Sequence, residues 1–269
     1  MRKIFSILIL ISYIIAFLIL YLVSFIFYSS YNLAIVLAIL LIVNLSVFSI
    51  LQYFIFKNLP GYIFGFLTFT IGFLGDTLAL FLSPEYKIWR HSISWLGQLT
   101  GGLFLRIGLI ISNTLAISFM FYLGRVLKDE NVSENARKLA ISAGIATSVS
   151  AVLTGTFSGI PGIISDLHGF FALVSWIGGA TVCLIFGYIM VRNSKFTKNI
   201  SNVGYTIGGI FVVYLIPFFI TNFCNYFQAI CFSFGRMVYS IMPIFEWILI
   251  LSILTWYLAN SIYLFKNKI

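Results

Sequence analysis

One stretch of the chain, Tyr86–Gln98 (YKIWRHSISWLGQ), gathers several groups able to do chemistry. It holds an imidazole at His91, hydroxyls at Ser92 and Ser94, and cations at Lys87 and Arg90. His91 is one of only two histidines in 269 residues. The other, His168, closes the segment Ser158–His168 (SGIPGIISDLH), two positions after Asp166. Three further charges, Asp76, Arg106 and Glu246, interrupt stretches that are otherwise apolar. Imidazole and carboxylate groups suit zinc or another divalent cation. Asp76, His91 and His168 therefore form a candidate metal set, with Asp166 beside it. No HExxH or CxxC spacing accompanies these residues. A helix cap at Asp166 and an interfacial role for His168 fit as well. A serine beside a base can act as a nucleophile, which makes Ser92 and Ser94 a second candidate set. No GxSxG elbow is present, and capping or turn roles suit both hydroxyls.

These groups must be positioned by elements of a particular kind. Apolar residues make up 61% of the chain and charged residues 9%. A soluble domain carries about 45–50% apolar and about 25% charged residues, so this composition belongs in lipid. Eight stretches approach the roughly 20 residues needed to span a bilayer. They run about Ile4–Phe27, Leu33–Phe56, Tyr62–Leu82, Gly102–Leu123, Leu139–Ile160, Gly169–Val191, Val203–Phe223 and Ile241–Phe265. Lipid offers no partner to an unpaired peptide group, so each is expected to be a helix. The fold class is all-α, a polytopic transmembrane bundle of eight helices. Met1-Arg2-Lys3 resembles the basic end of a signal peptide, but the apolar run behind it is too long and no small-x-small site follows. A retained first helix is expected, forming a hairpin with the second. The division is a hairpin over 1–57 and a six-helix core over 58–269.

Basic residues set the expected orientation. Twelve of the sixteen lysines and arginines fall on the side that also carries the termini: Arg2, Lys3, Lys57, Arg125, Lys128, Arg137, Lys138, Arg192, Lys195, Lys198, Lys266 and Lys268. Lys87, Arg90, Arg106 and Arg236 fall on the other. This bias places both termini in the cytoplasm of a multi-pass protein of the cell membrane. The net charge of +9 then follows from topology and favours anionic lipid on the inner leaflet. Nucleic acid is excluded as a partner, because the cations are spread over short segments rather than one stripe. The segment Arg125–Lys138 reads as a solvated connector, with Asn131 or Ser133 capping the next helix and Glu134 in its first turn.

Asp76 lies roughly 10 Å inside its span at 1.5 Å per residue, and Arg106 and Glu246 lie near the same side. Charges in hydrocarbon face the bundle interior or a wet cavity and find partners, so Asp76 and Arg106 are expected to pair. Asp76, His91, Ser92, Ser94, Arg106, Asp166, His168 and Glu246 together outline a candidate outward polar pocket. Trp89 and Trp95 suit a helix lying at headgroup level, which makes Tyr86–Gln98 its cover. The Thr221–Arg236 region is an interfacial segment or a polar lining, and a disulfide between Cys224 and Cys231 is allowed in an outside compartment.

A family resemblance rests on Ser92–Gly97 in the outer loop, Asn113 and Gly124 in the following span, and a basic inside loop. Gly155–Phe157, Pro161 and His168 follow. Over about Tyr62 to Phe265 the chain resembles the prokaryotic membrane family called domain of unknown function 998, related in pattern to the Frag/DRAM/Sfk proteins. In that family a phenylalanine and a proline of the fifth loop adjoin, whereas here Ser158-Gly159-Ile160 separates them. The resemblance implies a six-helix architecture and an outward polar face rather than a reaction. The zinc-dependent ceramidase and adiponectin-receptor superfamily uses three histidines. This chain has two, so a His₂-carboxylate set would be required. Two readings follow. One is a non-enzymatic membrane protein whose pocket binds lipid or a small solute, or which serves as an accessory subunit for another membrane protein. The other is a zinc-dependent intramembrane amidase or esterase acting on lipid. A transporter is a third reading, disfavoured because transport sites lie near the midplane. Asn44, Asn113 and Ser148, the deeper polar residues, are expected to hydrogen-bond between helices.

Overall fold

The computed structural model describes residues 2–27, 30–159, 163–226 and 228–269. The helices are α1 (Arg2–Phe27), α2 (Ser30–Phe54), α3 (Tyr62–Phe81), α4 (Ile93–Leu96), α5 (Gly102–Val126), α6 (Glu134–Phe157), α7 (Ile163–Arg192), α8 (Lys198–Tyr226) and α9 (Gln228–Lys266). All but α4 are long and apolar enough to cross a membrane, and no strand occurs among the described residues. The protein is an all-α, multi-span membrane-type bundle.

Four starts precede expectation by five residues or more, α7 at Ile163 rather than Gly169, α8 at Lys198 rather than Val203, and α6 and α9. α6 begins at Glu134 rather than Leu139. Ser133 Oγ accepts the Ala136 N–H at 3.4 Å, and Glu134 pairs with Arg137 at 2.6 Å. A capped first turn lets a helix extend beyond its apolar run. α9 begins at Gln228, well before Ile241, with a break at Cys231 (φ −142°, ψ 23°). The Thr221–Arg236 region thus forms the end of α8 and the start of α9, and Cys224 and Cys231 are disulfide-bonded across that corner. The side chains of Asn222, Asn225 and Gln228 fall outside the described residues, as do Pro161 and Gly162.

Packing closes six helices into a ring. α3 packs on α5, α5 on α6, α6 on α7, α7 on α8, α8 on α9, and α9 returns to α3. Small residues bring some backbones close. A Cβ on Gly75 would stand 2.8 Å from Gly108 Cα, and one on Gly204 would stand 3.1 Å from Gly187 Cα. The spaced Gly61, Gly65 and Gly144 instead make room for the side chains of Tyr122, Ser261 and Phe119, and Met120. The hairpin of α1 and α2 lies outside the ring, against α5. Buried Asn44 ties it there. Its Oδ1 accepts from Tyr13 at 2.5 Å, and its Nδ2 donates to Thr114 Oγ1 at 3.1 Å. The outward side of the hairpin exposes large apolar residues such as Phe5, Ile26 and Ile42, as contact with hydrocarbon requires.

Successive spans alternate in direction, so the molecule has two faces. One carries both termini and the short connectors after α2, α5 and α7. On it, the Asp129 carboxylate accepts from Ser194 Oγ at 2.7 Å, and Asn193 donates to Leu127 O at 3.0 Å. The opposite face carries the α3–α5 connector with α4, the α6–α7 connection and the α8–α9 corner.

Candidate functional site

The α3–α5 connector is built onto the ring rather than hung over it. Ser92 caps α4, with its Oγ accepting from Trp95 N at 3.3 Å. The first free N–H of α4, on Ile93, donates to Glu246 Oε2 of α9 at 2.8 Å. Tyr214 of α8 donates to the other carboxylate oxygen at 3.4 Å. Glu246 thus joins α4, α8 and α9. Nearby, Trp247 Nε1 donates to Tyr86 Oη at 2.9 Å, and Tyr86 donates to the His91 carbonyl at 2.7 Å. Burial pushes the Tyr86 phenol up to about 12. The Trp247 N–H acts against that rise and the Glu246 carboxylate adds to it. Tyr86, Leu96, Leu105, Ala79 and Trp247 form a separate small core under the connector. The connector is therefore a packed cap whose helical part is the single turn Ile93–Leu96. Trp89 is exposed and Trp95 half-buried within it.

A narrow cavity of about 150 Å³ opens beneath this cap, within the ring. Its wall contains Asp76, Ser94, Arg106, His168 and Glu246. Five of the eight residues singled out in the sequence thus share one space. The other three do not line it. His91 is turned onto the ring of Trp95, with centroids 4.0 Å apart, and its Nδ1 accepts from Lys87 N at 3.2 Å. Ser92 is spent on its cap. Asp166 is exposed in the first turn of α7, where a carboxylate complements the helix dipole.

The expected Asp76–Arg106 pair does not form. Arg106 Nε donates to Gly102 O at 3.3 Å, its Nη1 donates to Ser158 O at 3.0 Å, and its guanidinium lies 4.4 Å from the Phe25 ring centroid of α1. Arg106 turns Nε and Nη1 to backbone carbonyls, while its Nη2 makes no hydrogen bond among the described residues. Asp76, only 9% exposed, has no hydrogen-bond or ion-pair partner among the described residues. No group of three His, Cys, Asp or Glu side chains close enough to hold a metal ion occurs among the described residues. His91 faces Trp95, outside the cavity, so Asp76, His91 and His168 do not assemble.

His168 instead finds a serine. Its Nδ1 lies 2.9 Å from Thr154 O and its Nε2 lies 3.0 Å from Ser94 Oγ. A carbonyl can only accept, so Nδ1 carries the proton. Nε2 then offers its lone pair to the Ser94 hydroxyl. Sequence adjacency pointed to His91 as the base beside Ser92 and Ser94. The ring closure brings His168 instead, 74 positions further along the chain. Thr154 leaves no mark in the sequence, because it acts through its backbone. Tyr86, Tyr214 and Trp247 carry no motif either.

Below these groups the wall is mainly apolar, with Leu249, Ile253, Leu254 and Val182 among its residues, and it ends at Met120 and Tyr257. Beyond that end lie the fully buried Phe119, Trp256 and Phe186, outside the cavity wall itself. Their rings stand 6.0 Å (Phe119–Trp256) and 5.8 Å (Phe186–Trp256) apart. Asn113 lines the cavity but returns its amide to Leu109 O of its own helix at 3.0 Å. No family model, curated protein or solved structure matches this chain.

Proposed function

We propose that this membrane protein seats a single-chain amphiphile in the lumen of its six-helix ring, with a cationic head beside Asp76 and the tail pointing toward the aromatic floor. The observation that carries the reading is Asp76 itself, a nine-tenths buried carboxylate in the cavity wall without a protein partner. A charge in such a place needs a counter-charge or a hydrogen-bond donor. The lining on α9 runs from Glu246 to Tyr257, about 16 Å at 1.5 Å per residue. A volume of about 150 Å³ spread over that length is below the roughly 300–1,000 Å³ of drug-sized sites. It suits one hydrocarbon chain rather than a diacyl lipid. Tyr257 at the deep end, with the Phe119 and Trp256 rings packed behind it, favours a pocket over a through-path.

In this reading the head end faces outward and both termini are cytoplasmic. The basic residues of the termini-bearing face support that orientation. So does the Cys224–Cys231 disulfide on the opposite face, since disulfides persist in oxidising compartments. The test is intrinsic tryptophan fluorescence of the full chain in nanodiscs, because Trp176 lines the cavity. The expected result is saturable binding of dodecylamine, weaker binding of dodecanol and none of dodecanoate. Asp76→Asn is expected to weaken the amine by about tenfold or more, as loss of a charge-assisted hydrogen bond does, and to level it with the alcohol. Equal binding of all three probes, or of none, overturns the reading.

A further inference from the structure

We propose that Ser94 and His168 form a metal-free acyl-transfer dyad that cleaves a carboxylic ester of a single acyl chain. This rests on the pocket reading above, which supplies the seat for the chain. The carrying observation is the arrangement Ser94 Oγ–His168 Nε2–His168 Nδ1–Thr154 O, at 3.0 and 2.9 Å. It lies in the wall of the cavity rather than deep in a packed core. This is the order of parts that activates a serine: a hydroxyl, a base within hydrogen-bond reach, and a third group fixing the tautomer of that base. Here a backbone carbonyl takes the place of the usual carboxylate. It fixes the tautomer but supplies a dipole rather than a full charge, so turnover is expected to be slow. Three elements hold the geometry. α4 presents Ser94 and is anchored through Ile93 to Glu246. α7 presents His168, and α6 presents the Thr154 carbonyl.

The chemistry balances with water as the only co-reactant. Ser94 Oγ bonds to the ester carbonyl carbon while its proton passes to His168 Nε2, and the carbonyl π pair moves onto oxygen. That pair returns as the C–O bond to the alcohol breaks, and the Nε2 proton goes to the leaving oxygen. Water then adds to the acyl-serine, with Nε2 taking its proton. Collapse releases the carboxylic acid and returns the proton to Ser94 Oγ. Arg106 lines the same space, and its Nη2 makes no hydrogen bond among the described residues. It is the positive group available as charge builds on the carbonyl oxygen.

The test is covalent labelling of purified full-length protein in nanodiscs by a decyl fluorophosphonate, mapped by peptide mass spectrometry. The expected result is a single adduct on Ser94, slowed at least about 100-fold in His168→Gln. That is the scale of a lost general base, and glutamine can still accept a hydrogen bond from Ser94. Dodecylamine is expected to protect against labelling. Absence of an adduct on protein that still binds dodecylamine overturns the dyad and leaves the pocket reading standing. So does an adduct elsewhere, or His168→Gln labelling at the wild-type rate. Ser94 labelling on protein that does not bind dodecylamine overturns the pocket reading alone.

Discussion

At the scale of single residues, two histidines that read alike in the sequence have opposite fates. His91 sits among serines and cations, yet its ring packs at a tilt against Trp95 and its main chain is held by Tyr86. His168 sits in the second turn of α7 and becomes the partner of a serine far away in the chain. The residue types of the site were legible because charges and imidazoles are rare in so apolar a chain. Their pairing was not, because pairing depends on which helix faces meet. The Asp76–Arg106 pair did not form for the same reason, since Arg106 turns Nε and Nη1 to the carbonyls of Gly102 and Ser158. Tyr86 gives a prediction at this scale. Its folded phenol is raised from 10 to about 12, so the unfolded chain ionises first as pH rises. The stability it contributes is complete below pH 10 and is lost as pH climbs through about 12. Melting temperature against pH in detergent is expected to fall more steeply over that window for wild type than for Tyr86→Phe. Parallel curves would contradict the assignment.

At the scale of elements, hydropathy located all eight spans, because the requirement for about 20 apolar residues is strict. It located their ends less well. α6 starts early because Ser133 and Glu134 build a capped, charged first turn. α9 starts early because a helix broken at Cys231 continues into the corner that the disulfide closes. The connector above the site was expected to hold an interfacial helix at headgroup level and to act as an amphipathic lid, prompted by Trp89 and Trp95. It forms one turn, because Glu246 and Ser92 satisfy the start of α4 locally and Leu96 is fully buried. The backbone approach between α3 and α5 carries a second prediction. A side chain on Gly108 meets Gly75 Cα at 2.9 Å, so no rotamer change relieves it. Gly108→Leu is expected to cost about 1–3 kcal/mol and to displace Asp76 and Arg106 relative to each other. A thermal melt together with dodecylamine titration checks both effects, whereas Gly209→Leu, with open space around its Cβ, is expected to change neither.

At the scale of the whole molecule, the sequence carried the class and the two-faced distribution of charge. It did not carry the ring, since nothing in eight similar apolar runs says that α9 returns to α3. The proposed orientation yields the third prediction. In cells, a membrane-impermeant maleimide is expected to label a cysteine placed at Glu85 on the connector face and to spare one placed at Glu130 on the termini-bearing face. The reverse pattern would invert the molecule. One contact bears on how the chain divides. The hairpin looks separable, since it is tied to the ring mainly through Asn44 and a few side chains of α5. Yet Arg106, which lines the cavity, has its guanidinium 4.4 Å from the Phe25 ring centroid of α1, so the hairpin backs the cavity from behind through that residue. That contact crosses the expected division near residue 57. A shortened protein that kept only the last six helices would keep every residue of the cavity wall, but Arg106 would lose its aromatic backing and face the surrounding hydrocarbon on that side.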